Sequence, residues 1–392
     1  MDFDLVDADQ HYYETTDAFT RYLPAEFRRR SVQWADVEGR PRMVVGGRLF
    51  RMIPNATFNP ISAPGALQAH FRGMGDVGQT AFGELGPVQE EYQHRDARLA
   101  VMDRQGVEAT IMLPTLGVGM EEALRPDIEA LYATYTSFNT WLAEEWGFDF
   151  ERRIFSAPML CLIDPNRALI ELDRVLEGGA RLVHLRPGPV LDPGGQARAL
   201  GDPVYEPFWS RLEEAGTLVA YHPGDSGYGR HLADWGESDD PFGYRVILMK
   251  DVLGTVGERP LFETIAALIC QGVFSRHPNL RVASIEAGSA WVRPLLDKLA
   301  AASEKRPGAF AEDPVAVFKR HVWVSPYYEE DVPALADLLG VDHVLFGSDW
   351  PHPEGLADPA SYADDLGGLD PAQVRAVMRE NTARLLGLEP VS

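Results

Sequence analysis

Cysteine and long apolar segments are both scarce in this sequence of 392 residues. Its two cysteines, Cys161 and Cys270, each lie in an apolar run, so we expect buried free thiols rather than a disulfide or a redox pair. No stretch approaches the roughly 20 apolar residues of a membrane-spanning helix. The acidic start, Met1–Asp4, lacks the basic and apolar regions of a signal peptide, and we therefore expect a cytoplasmic protein with no membrane partner.

Positive charge is scarce as well. The formal net charge is −23, and lysine occurs at only four positions, Lys250, Lys298, Lys305 and Lys319. Such a surface repels phosphate groups, which argues against nucleic acid as a partner. A local arginine can override the global field, so a small anionic substrate is not excluded.

Internal repeats and low-complexity tracts are absent, and short apolar runs alternate instead with amphipathic helical segments. At 45% hydrophobic and 24% charged residues, the chain has ample material for one large core. Eight nearly continuous apolar runs are typical of buried parallel strands, and they predict an α/β fold, a (β/α)8 TIM barrel formed by one domain over residues 1–392. The predicted strands are Asp4–Ala8, Ala109–Leu113, Ala157–Leu162, Ala180–Leu185, Thr217–Tyr221, Arg281–Ile285, Val322–Ser325 and His343–Phe346.

Two regions depart from this alternation. Residues 31–90 are predicted to form an insertion that covers the barrel mouth, with β-hairpins in Ser31–Arg51 and a Gly- and Pro-rich loop in Pro54–Pro87. A second long segment, Gly224–Gly257, follows the fifth predicted strand. Segments that follow barrel strands lie on the face that bears the active site, so we expect both regions to shape the substrate pocket.

Side chains that can bind metal or move protons follow most of the predicted strands. Asp9 and His11 follow the first strand and are separated by one residue, so on an extended segment they project to the same side. Either alone could be a strand-end cap or a surface histidine, but His222 after strand five and Asp349 after strand eight would complete a set of three or four ligands. Nitrogen and oxygen ligands suit Zn²⁺, Mn²⁺ or Fe²⁺, and the ion would acidify a bound water or polarise a substrate oxygen. The other candidates are His184 and Arg186 at strand four, Glu286 after strand six, Tyr327 or Tyr328 after strand seven, and His352 after strand eight.

Several of these other candidates have a structural interpretation beside the functional one. His352 either acts in catalysis directly or orients Asp349. His184 either contributes to substrate binding or packs in the barrel interior. Arg186 either binds a substrate carboxylate through two hydrogen bonds or pairs with a neighbouring acidic residue such as Glu286.

Three of the segments considered above resemble the motifs of one enzyme family. Asp7–His11, Ala220–Pro223 and Gly347–His352 are similar to motifs of the amidohydrolase-related family, in the branch that contains aminocarboxymuconate-semialdehyde decarboxylase. The similarity runs from the first strand to the last helix. Further segments that match this branch are Arg98–Val107, Phe274–Arg281 and Glu380–Arg384.

The resemblance implies a barrel of the metal-dependent hydrolase type with one catalytic divalent metal. The implied ligands are Asp9, His11, His222 and Asp349, with Zn²⁺ favoured and Mn²⁺ as the alternative. Many members of the branch decarboxylate unsaturated or aromatic acids, while others hydrolyse C–O, C–N or lactone bonds. The resemblance thus implies a small organic acid as substrate, and a homodimer is an assembly common in the branch.

Two departures from the branch bear on mechanism. Many members have His-x-His after strand one, where this chain has Asp9-Gln10-His11, a variant that the branch also tolerates. After strand six the branch often has an acid/base histidine, where this chain has Glu286. Glutamate could move a proton if burial raised its pKa, and it could equally ligate the metal. Binuclear members use a carbamylated lysine after strand four, and Val183–Arg186 contains no lysine, so one metal ion is expected.

The sequence therefore supports three functional hypotheses. The leading one is a metal-dependent nonoxidative decarboxylase of a small unsaturated or aromatic carboxylic acid, in which Glu286 or His352 protonates carbon as CO₂ leaves. The second is a metal-dependent hydrolase of an amide, lactone or ester bond, in which the same ion activates water and Asp349 or Glu286 is the general base. The third is a non-catalytic ligand-binding barrel, which the presence of all four candidate ligands disfavours.

Overall fold

The computed structural model describes residues 2–53, 55–68, 72, 83–238 and 247–388. Its strands are of two kinds, the parallel strands of the barrel and short antiparallel strands in the connecting segments. In chain order they are β1 Leu5–Tyr12, β2 Val32–Val37, β3 Arg40–Val45, β4 Arg48–Leu49, β5 Ile61–Ser62, β6 Leu85–Gly86, β7 Val107–Pro114, β8 Ile154–Ser156, β9 Met159–Leu160, β10 Leu182–Leu185, β11 Val190–Leu191, β12 Ala197–Arg198, β13 Leu218–Tyr221, β14 Arg281–Ser284 and β15 Val322–Val324.

The parallel strands fall into two sheets that meet at an interruption in the third barrel strand. One sheet has the order β1-β7-β8 and the other the order β9-β10-β13-β14-β15. Pro158, which has no backbone N–H, separates β8 from β9. The ladder continues across the gap, because Ala157 N donates to Met112 O at 3.0 Å and His184 N donates to Pro158 O at 2.8 Å. The segments β8 and β9 therefore act as one barrel strand.

The eighth barrel strand is the segment 344–350, which lies between β15 and β1. Leu345 N donates to Val324 O, and Ala8 N donates to Phe346 O, each at 2.9 Å. This segment closes the barrel, and the predicted (β/α)8 fold is confirmed. Closure places the carboxyl ends of the first and eighth strands side by side, although they are far apart in sequence.

Helices connect the strands and cover the outside of the barrel. Gly106 ends the first of them in a left-handed conformation with φ 65°, and Asp164 caps another by accepting from the backbone N of Asn166 and Arg167. No helix in the described part of the chain is long and apolar enough to cross a membrane. The helices are α1 Arg95–Gln105, α2 Met120–Leu124, α3 Ile128–Glu145, α4 Pro165–Glu177, α5 Glu206–Ala215, α6 Gly229–Ala233, α7 Ile247–Leu253, α8 Glu258–Cys270, α9 Val273–Arg276, α10 Val292–Lys305, α11 Pro314–His321, α12 Val332–Leu339, α13 Pro371–Arg375 and α14 Asn381–Leu386.

Apolar side chains pack in two zones. One cluster fills the barrel interior and includes Val6 and Ala8 of β1 and Ile111 of β7. A larger cluster lies between the barrel and its helices, and it includes Trp141 and Trp209. Every residue of β1 is buried, which explains why its polar residues must find partners inside the protein.

Two details of the sequence prediction are wrong. The first strand runs to Tyr12 rather than Ala8, because its ladder with β7 continues to Pro114, so Asp9 and His11 lie within the strand and not after it. Cys161 is a buried free thiol as expected, but Cys270 is a free thiol on the surface, at the last residue of α8.

The connecting segments add small antiparallel sheets. Residues Ser31–Arg51 contain an antiparallel sheet of order β2-β3-β4, and β5 pairs with β6. Leu67 N donates to Pro353 O at 2.7 Å, so the first segment contacts the loop after the eighth strand. Residues 69–71, 73–82 and 239–246 lie outside the described residues, and the insertion over the barrel mouth and the pocket it would shape stay predictions.

Candidate metal centre

A β-bulge in β1 turns Asp9 and His11 toward the barrel interior. The register with β7 shifts between Asp7 and Gln10, where β1 advances by one residue more than its partner. In a regular strand Asp9 and His11 would lie on the opposite face from Ala8, which packs in the interior. The extra residue changes this alternation and directs both side chains to the carboxyl end of the barrel.

The carboxylate of Asp7 holds this bulge and links it to the eighth strand. It accepts from Asp9 N and Gln10 Nε2, each at 3.0 Å, and from Ser348 N and Oγ at 3.0 and 2.5 Å. Burial raises the pKa of Asp7 to about 7 despite these donors. Because Ser348 directly precedes Asp349, one carboxylate positions candidate ligands on two strands. Asp7 lies in a segment that the resemblance uses, but its role was not predicted.

The four predicted metal ligands and Glu286 meet at this end of the barrel. His11 Nε2 lies 3.3 Å from Asp9 Oδ1, 3.4 Å from Glu286 Oε2 and 3.5 Å from Asp349 Oδ1. His222 Nε2 lies 2.6 Å from Glu286 Oε2. Two overlapping groups have all their ligand atoms within 4.8 Å of one another, the first being Asp9, His11, His222 and Glu286 and the second His11, Glu286, Asp349 and His352.

These residues fit a divalent cation. Asp9 Oδ1 and both ring nitrogens of His11 are buried without a hydrogen-bond partner. A buried polar atom left unpaired costs about 1–3 kcal/mol, and a bound cation would remove that cost at Asp9 Oδ1 and at His11 Nε2. Imidazole nitrogen and carboxylate oxygen are ligands of both Zn²⁺ and Mn²⁺. The cluster can therefore hold one such ion.

Mutual repulsion and burial set the charges of the cluster. Burial, reinforced by the negative charge of Glu286, raises the pKa of Asp349 well above its usual range. Burial also acts to raise the pKa of Glu286, but attraction by His222 and the close contacts with His11 and His222 outweigh it and lower that pKa. Burial acts to lower the pKa of His11, but the nearby carboxylates of Asp9 and Glu286 raise it to about 9. The two directions are opposite, so the protein favours the ionised form of Glu286 and the protonated form of Asp349.

Asp349 and His352 form a short contact that requires a proton between them. Nδ1 of His352 lies 2.6 Å from Asp349 Oδ1, and its Nε2 lies 3.1 Å from Thr115 Oγ1. The Thr115 hydroxyl donates its single proton to Tyr12 O at 2.8 Å, so it accepts from Nε2–H of His352. Nδ1 of a neutral His352 then has no proton of its own, and the short contact with Asp349 requires one between the two groups. Burial and the charge of His11 lower the pKa of His352 well below its usual range, which agrees with a neutral ring.

The backbone at two of these residues is strained. Glu286 and Asp349 both have φ 54°, a left-handed conformation that is uncommon for non-glycine residues, although Glu38, Phe58, Glu151 and Arg152 adopt it elsewhere in the protein. The Tyr327 hydroxyl donates to Glu286 O at 2.9 Å. The carboxylate of Glu330 accepts from Ser289 N at 2.9 and 2.8 Å and from Tyr327 N at 2.9 Å. The loop after β15 thus holds the loop after β14, and Glu330 is a residue that the sequence did not point to.

A known enzyme family matches nearly the whole chain. Its model, described as amidohydrolase, covers residues 6–388, which include every residue of the cluster. The chain belongs to the amidohydrolase family. It is accordingly an enzyme of the amidohydrolase superfamily.

Relatives of this amidohydrolase include proteins named as decarboxylases. The chain is 45% identical to the amidohydrolase map2389c of Mycobacterium avium subsp. paratuberculosis K-10, with coverage of 99% and 100% of the two chains and a TM-score of 0.92. It is 25% identical over 242 residues to 2-amino-3-carboxymuconate-6-semialdehyde decarboxylase of Dictyostelium discoideum, and spans 60% of the length of that relative. A dihydroxybenzoic acid decarboxylase of Polaromonas sp. JS666, solved with manganese and the inhibitor 2-nitroresorcinol, is 17% identical, with coverage of 85% and 96% and a TM-score of 0.58. At that identity the likeness concerns the fold.

Arg98 of this amidohydrolase holds β1 in place through hydrogen bonds, a role that the sequence did not reveal. Its guanidinium is fully buried, donates from Nη2 to His11 O at 2.7 Å and from Nη1 to Gln10 Oε1 at 3.2 Å. It also lies 4.3 Å from the centroid of the Trp350 ring, over which it stacks. Arg98 therefore fixes the backbone of the first strand against the residue that follows Asp349.

The two predicted substrate-binding residues of strand four contact protein groups. Arg186 donates from Nε to Glu121 Oε1 at 2.5 Å, from Nη1 to Ser226 O at 2.8 Å and from Nη2 to Pro189 O at 3.0 Å. Its acidic partner is thus on α2, not after strand six. His184 is buried with Nε2 unpartnered, and burial lowers its pKa to about 3. A role for either in substrate binding stays a prediction.

Proposed function

We propose that this enzyme is a metal-dependent nonoxidative decarboxylase of a small unsaturated or aromatic carboxylic acid. The observation that carries the proposal is the short distance of 2.6 Å between Asp349 Oδ1 and His352 Nδ1, directly beside the residues that can hold the metal. Nonoxidative decarboxylation replaces CO₂ by a proton on carbon, and a buried acid pair of this kind can deliver that proton. The similarity to a relative named as a decarboxylase supports the same reaction class.

The residues divide the work between holding an ion and moving a proton. Asp9, His11, His222 and Asp349 would hold one Zn²⁺ or Mn²⁺, which when bound polarises a substrate oxygen. His352, which Asp349 orients, gives a proton to the carbon that bears the carboxylate, and a new C–H bond forms from the π electrons of the substrate. The C–C bond then breaks, its electron pair restores the π system, and CO₂ leaves. Bulk water returns one proton to the pair.

Of the two proton donors that the sequence allowed, His352 with Asp349 is the better assignment. Burial acts to raise the pKa of Glu286, but the attraction of His222 and the close contacts with two histidines outweigh it and lower that pKa, which favours the ionised carboxylate. An ionised carboxylate has no proton to give. Protonation of carbon by Glu286 would therefore require a prior proton transfer to it.

A metal-dependent hydrolase that uses the same centre is the second candidate. The charge of the site favours it, because Asp9, Glu286 and Asp349 surround His11, and Arg186 is engaged with protein acceptors. A neutral amide, lactone or ester would avoid the repulsion that an anionic acid meets there. In that reaction the carboxylate of Glu286 or Asp349 would take a proton from water.

One experiment separates the two reactions. The purified enzyme, loaded with Mn²⁺ or Zn²⁺, is incubated in oxygen-18 water with aromatic and unsaturated acids, lactones and amides, and CO₂ and product mass are measured. Release of CO₂ without oxygen-18 in the product supports the decarboxylase, and in D₂O the vacated carbon should carry deuterium. Oxygen-18 in the product without CO₂ supports the hydrolase and contradicts our first choice. A His352→Gln variant is the control, because it should retain the metal and lose CO₂ release.

A further inference from the structure

We infer that Glu286 is a ligand of the metal, so that the centre has two histidines and three carboxylates rather than the four ligands that the family resemblance implies. The inference rests on the metal that the proposed function requires, and it deepens that proposal by giving the strand-six residue a role other than proton transfer. The proposed ligands are Asp9, His11, His222, Glu286 and Asp349. Glu286 belongs to both groups of neighbouring ligand atoms, one with Asp9, His11 and His222 and the other with His11, Asp349 and His352.

The distances around His11 are those of neighbouring ligands on one ion. An ion about 2.0–2.2 Å from each ligand holds adjacent ligands about 3.0–3.5 Å apart at octahedral or tetrahedral angles. From His11 Nε2, the distances are 3.3 Å to Asp9 Oδ1, 3.4 Å to Glu286 Oε2 and 3.5 Å to Asp349 Oδ1. The oxygen of Glu286 therefore lies at about the same distance from His11 Nε2 as the oxygens of Asp9 and Asp349, which both belong to the implied ligand set.

The tautomer of His222 provides a second, independent argument. Its Nδ1 lies 2.8 Å from Pro223 O, and because a carbonyl oxygen only accepts, Nδ1 carries the ring proton. Nε2 of the neutral ring then directs a lone pair at Glu286 Oε2, which lies 2.6 Å away. Two lone pairs this close repel each other unless a cation lies beside both. A histidine whose second nitrogen donates to a backbone carbonyl is also the usual state of a metal ligand.

The competing arrangement is an ion pair between a protonated His222 and Glu286, with the metal held elsewhere. That arrangement gives no partner to Asp9 Oδ1 or to His11 Nε2, both of which are buried and unpaired. An ion shared by all of them satisfies each atom. The strained backbone of Glu286, held by Tyr327, agrees with a ligand whose position must be kept within narrow limits.

A third carboxylate changes which ion the centre prefers. Carboxylate oxygens suit harder ions such as Mn²⁺, whereas imidazole nitrogen suits Zn²⁺. We therefore expect Glu286 to reduce the preference for Zn²⁺ that a nitrogen-rich centre would have. Replacing Glu286 by histidine should shift the preference back toward Zn²⁺.

The test measures metal binding apart from turnover. Enzyme stripped with a chelator is titrated with Mn²⁺, followed by the electron paramagnetic resonance of the free ion, and with Zn²⁺ in competition with a chromophoric chelator. Glu286→Gln should weaken both affinities by at least about tenfold. Glu286→His should recover Zn²⁺ binding more than Mn²⁺ binding. Glu354→Gln is the matched control, because the charge of Glu354 acts on Asp349 but its carboxylate belongs to neither ligand group.

The outcomes distinguish failure of the ligand assignment from failure of the proposed function. Unchanged metal affinity in folded Glu286→Gln would overturn the inference and leave Glu286 as an ion-pair partner of His222. Glu286→His keeps a ligand atom at this position, and it decides the metal preference if the glutamine variant fails to fold. A wild-type enzyme that binds no metal would overturn both this inference and the proposed function. An enzyme that binds metal through Glu286 but releases no CO₂ would overturn the proposed function alone.

Discussion

Two buried groups of charged side chains in this barrel are built in opposite ways. In the first, Arg186 pairs with Glu121, and the two side chains are 5% and 7% exposed. Their charges are equal and opposite, and the other guanidinium nitrogens donate to the backbone carbonyls of Ser226 and Pro189. The protein itself therefore supplies an acceptor for each nitrogen of the guanidinium.

The second group, at the metal centre, is unbalanced. Asp9, Glu286 and Asp349 surround His11, and buried atoms of Asp9 and His11 have no hydrogen-bond partner. Buried charges are stable only when they are compensated, so an uncompensated group indicates a ligand that supplies the missing charge. Both groups are buried, so burial does not distinguish them. A structural ion pair finds its counter-charge and hydrogen-bond partners within the protein, whereas the charged groups of a functional site do not.

The largest expected effect is a loss of metal affinity when a ligand of the metal centre is removed. His222→Ala removes a candidate ligand, so we expect metal affinity to fall at least about 100-fold and turnover to be lost with it. Metal content by mass spectrometry after dialysis measures this. His343→Ala, at the amino end of the eighth strand, should retain full metal content. Stoichiometric metal in His222→Ala would remove His222 from the ligand set.

Changing the ion pair of Arg186 and Glu121 should lower the stability of the protein and leave metal binding intact. Arg186→Met leaves the Glu121 carboxylate buried without a counter-charge, so we expect the free energy of unfolding to fall by about 3–5 kcal/mol. Urea denaturation measures the loss, and the double variant with Glu121→Leu should recover most of it. Metal affinity should be unchanged. A drop in metal affinity with unchanged stability would mean that Arg186 belongs to the site and that our comparison is wrong.

A smaller effect is expected at the residue that holds the bulge. Asp7→Asn keeps the shape of the side chain but turns an NH₂ group toward donors that the carboxylate now accepts, so Asp9 should lose its orientation. We expect metal affinity to fall about 10–100-fold, as for other residues that orient ligands. Chelator competition on the folded variant provides the measurement. Lower stability with full metal affinity would show that Asp7 supports only the fold.

The smallest expected effect is a pH dependence of stability at Glu14. This buried carboxylate accepts from Leu116 N and Gly117 N, and burial raises its pKa from 4.5 to about 7. The folded state therefore keeps the proton up to a higher pH than the unfolded state, and stability falls as pH rises through about 7. We expect wild type to lose about 1 kcal/mol between pH 6 and 8 from this group. Urea denaturation of Glu14→Gln at both pH values should lack this loss, and equal slopes in the two proteins would contradict it.

Much of the barrel could be predicted because buried parallel strands appear as local apolar runs. Leu218–Tyr221 and Arg281–Ser284 lie within the predicted ranges to one residue at each end. The meeting of Asp9, His11, His222 and Asp349 followed from one further rule, that the strands of a closed barrel share a carboxyl end.

The bulge could not be predicted, because it is a difference in register between β1 and β7 and leaves no local signal. The acidic partner of Arg186 was equally hidden, since Glu121 lies on a helix far from it in sequence. Arg98 and Glu330 act through backbone groups of other segments, and such contacts depend on the folded chain alone.

The sequence by itself determined the strand count, the chemistry of the candidate ligands and the absence of a lysine at strand four, because each is a property of local residue types. Only the tertiary structure decided which atoms face one another. It brought Asp349 Oδ1 to 2.6 Å from His352 Nδ1, set Glu286 against two histidines and paired Arg186 with Glu121. The physical reason is that burial makes each hydrogen bond and charge depend on its immediate partners, and barrel closure brings those partners together from strands that are distant along the chain.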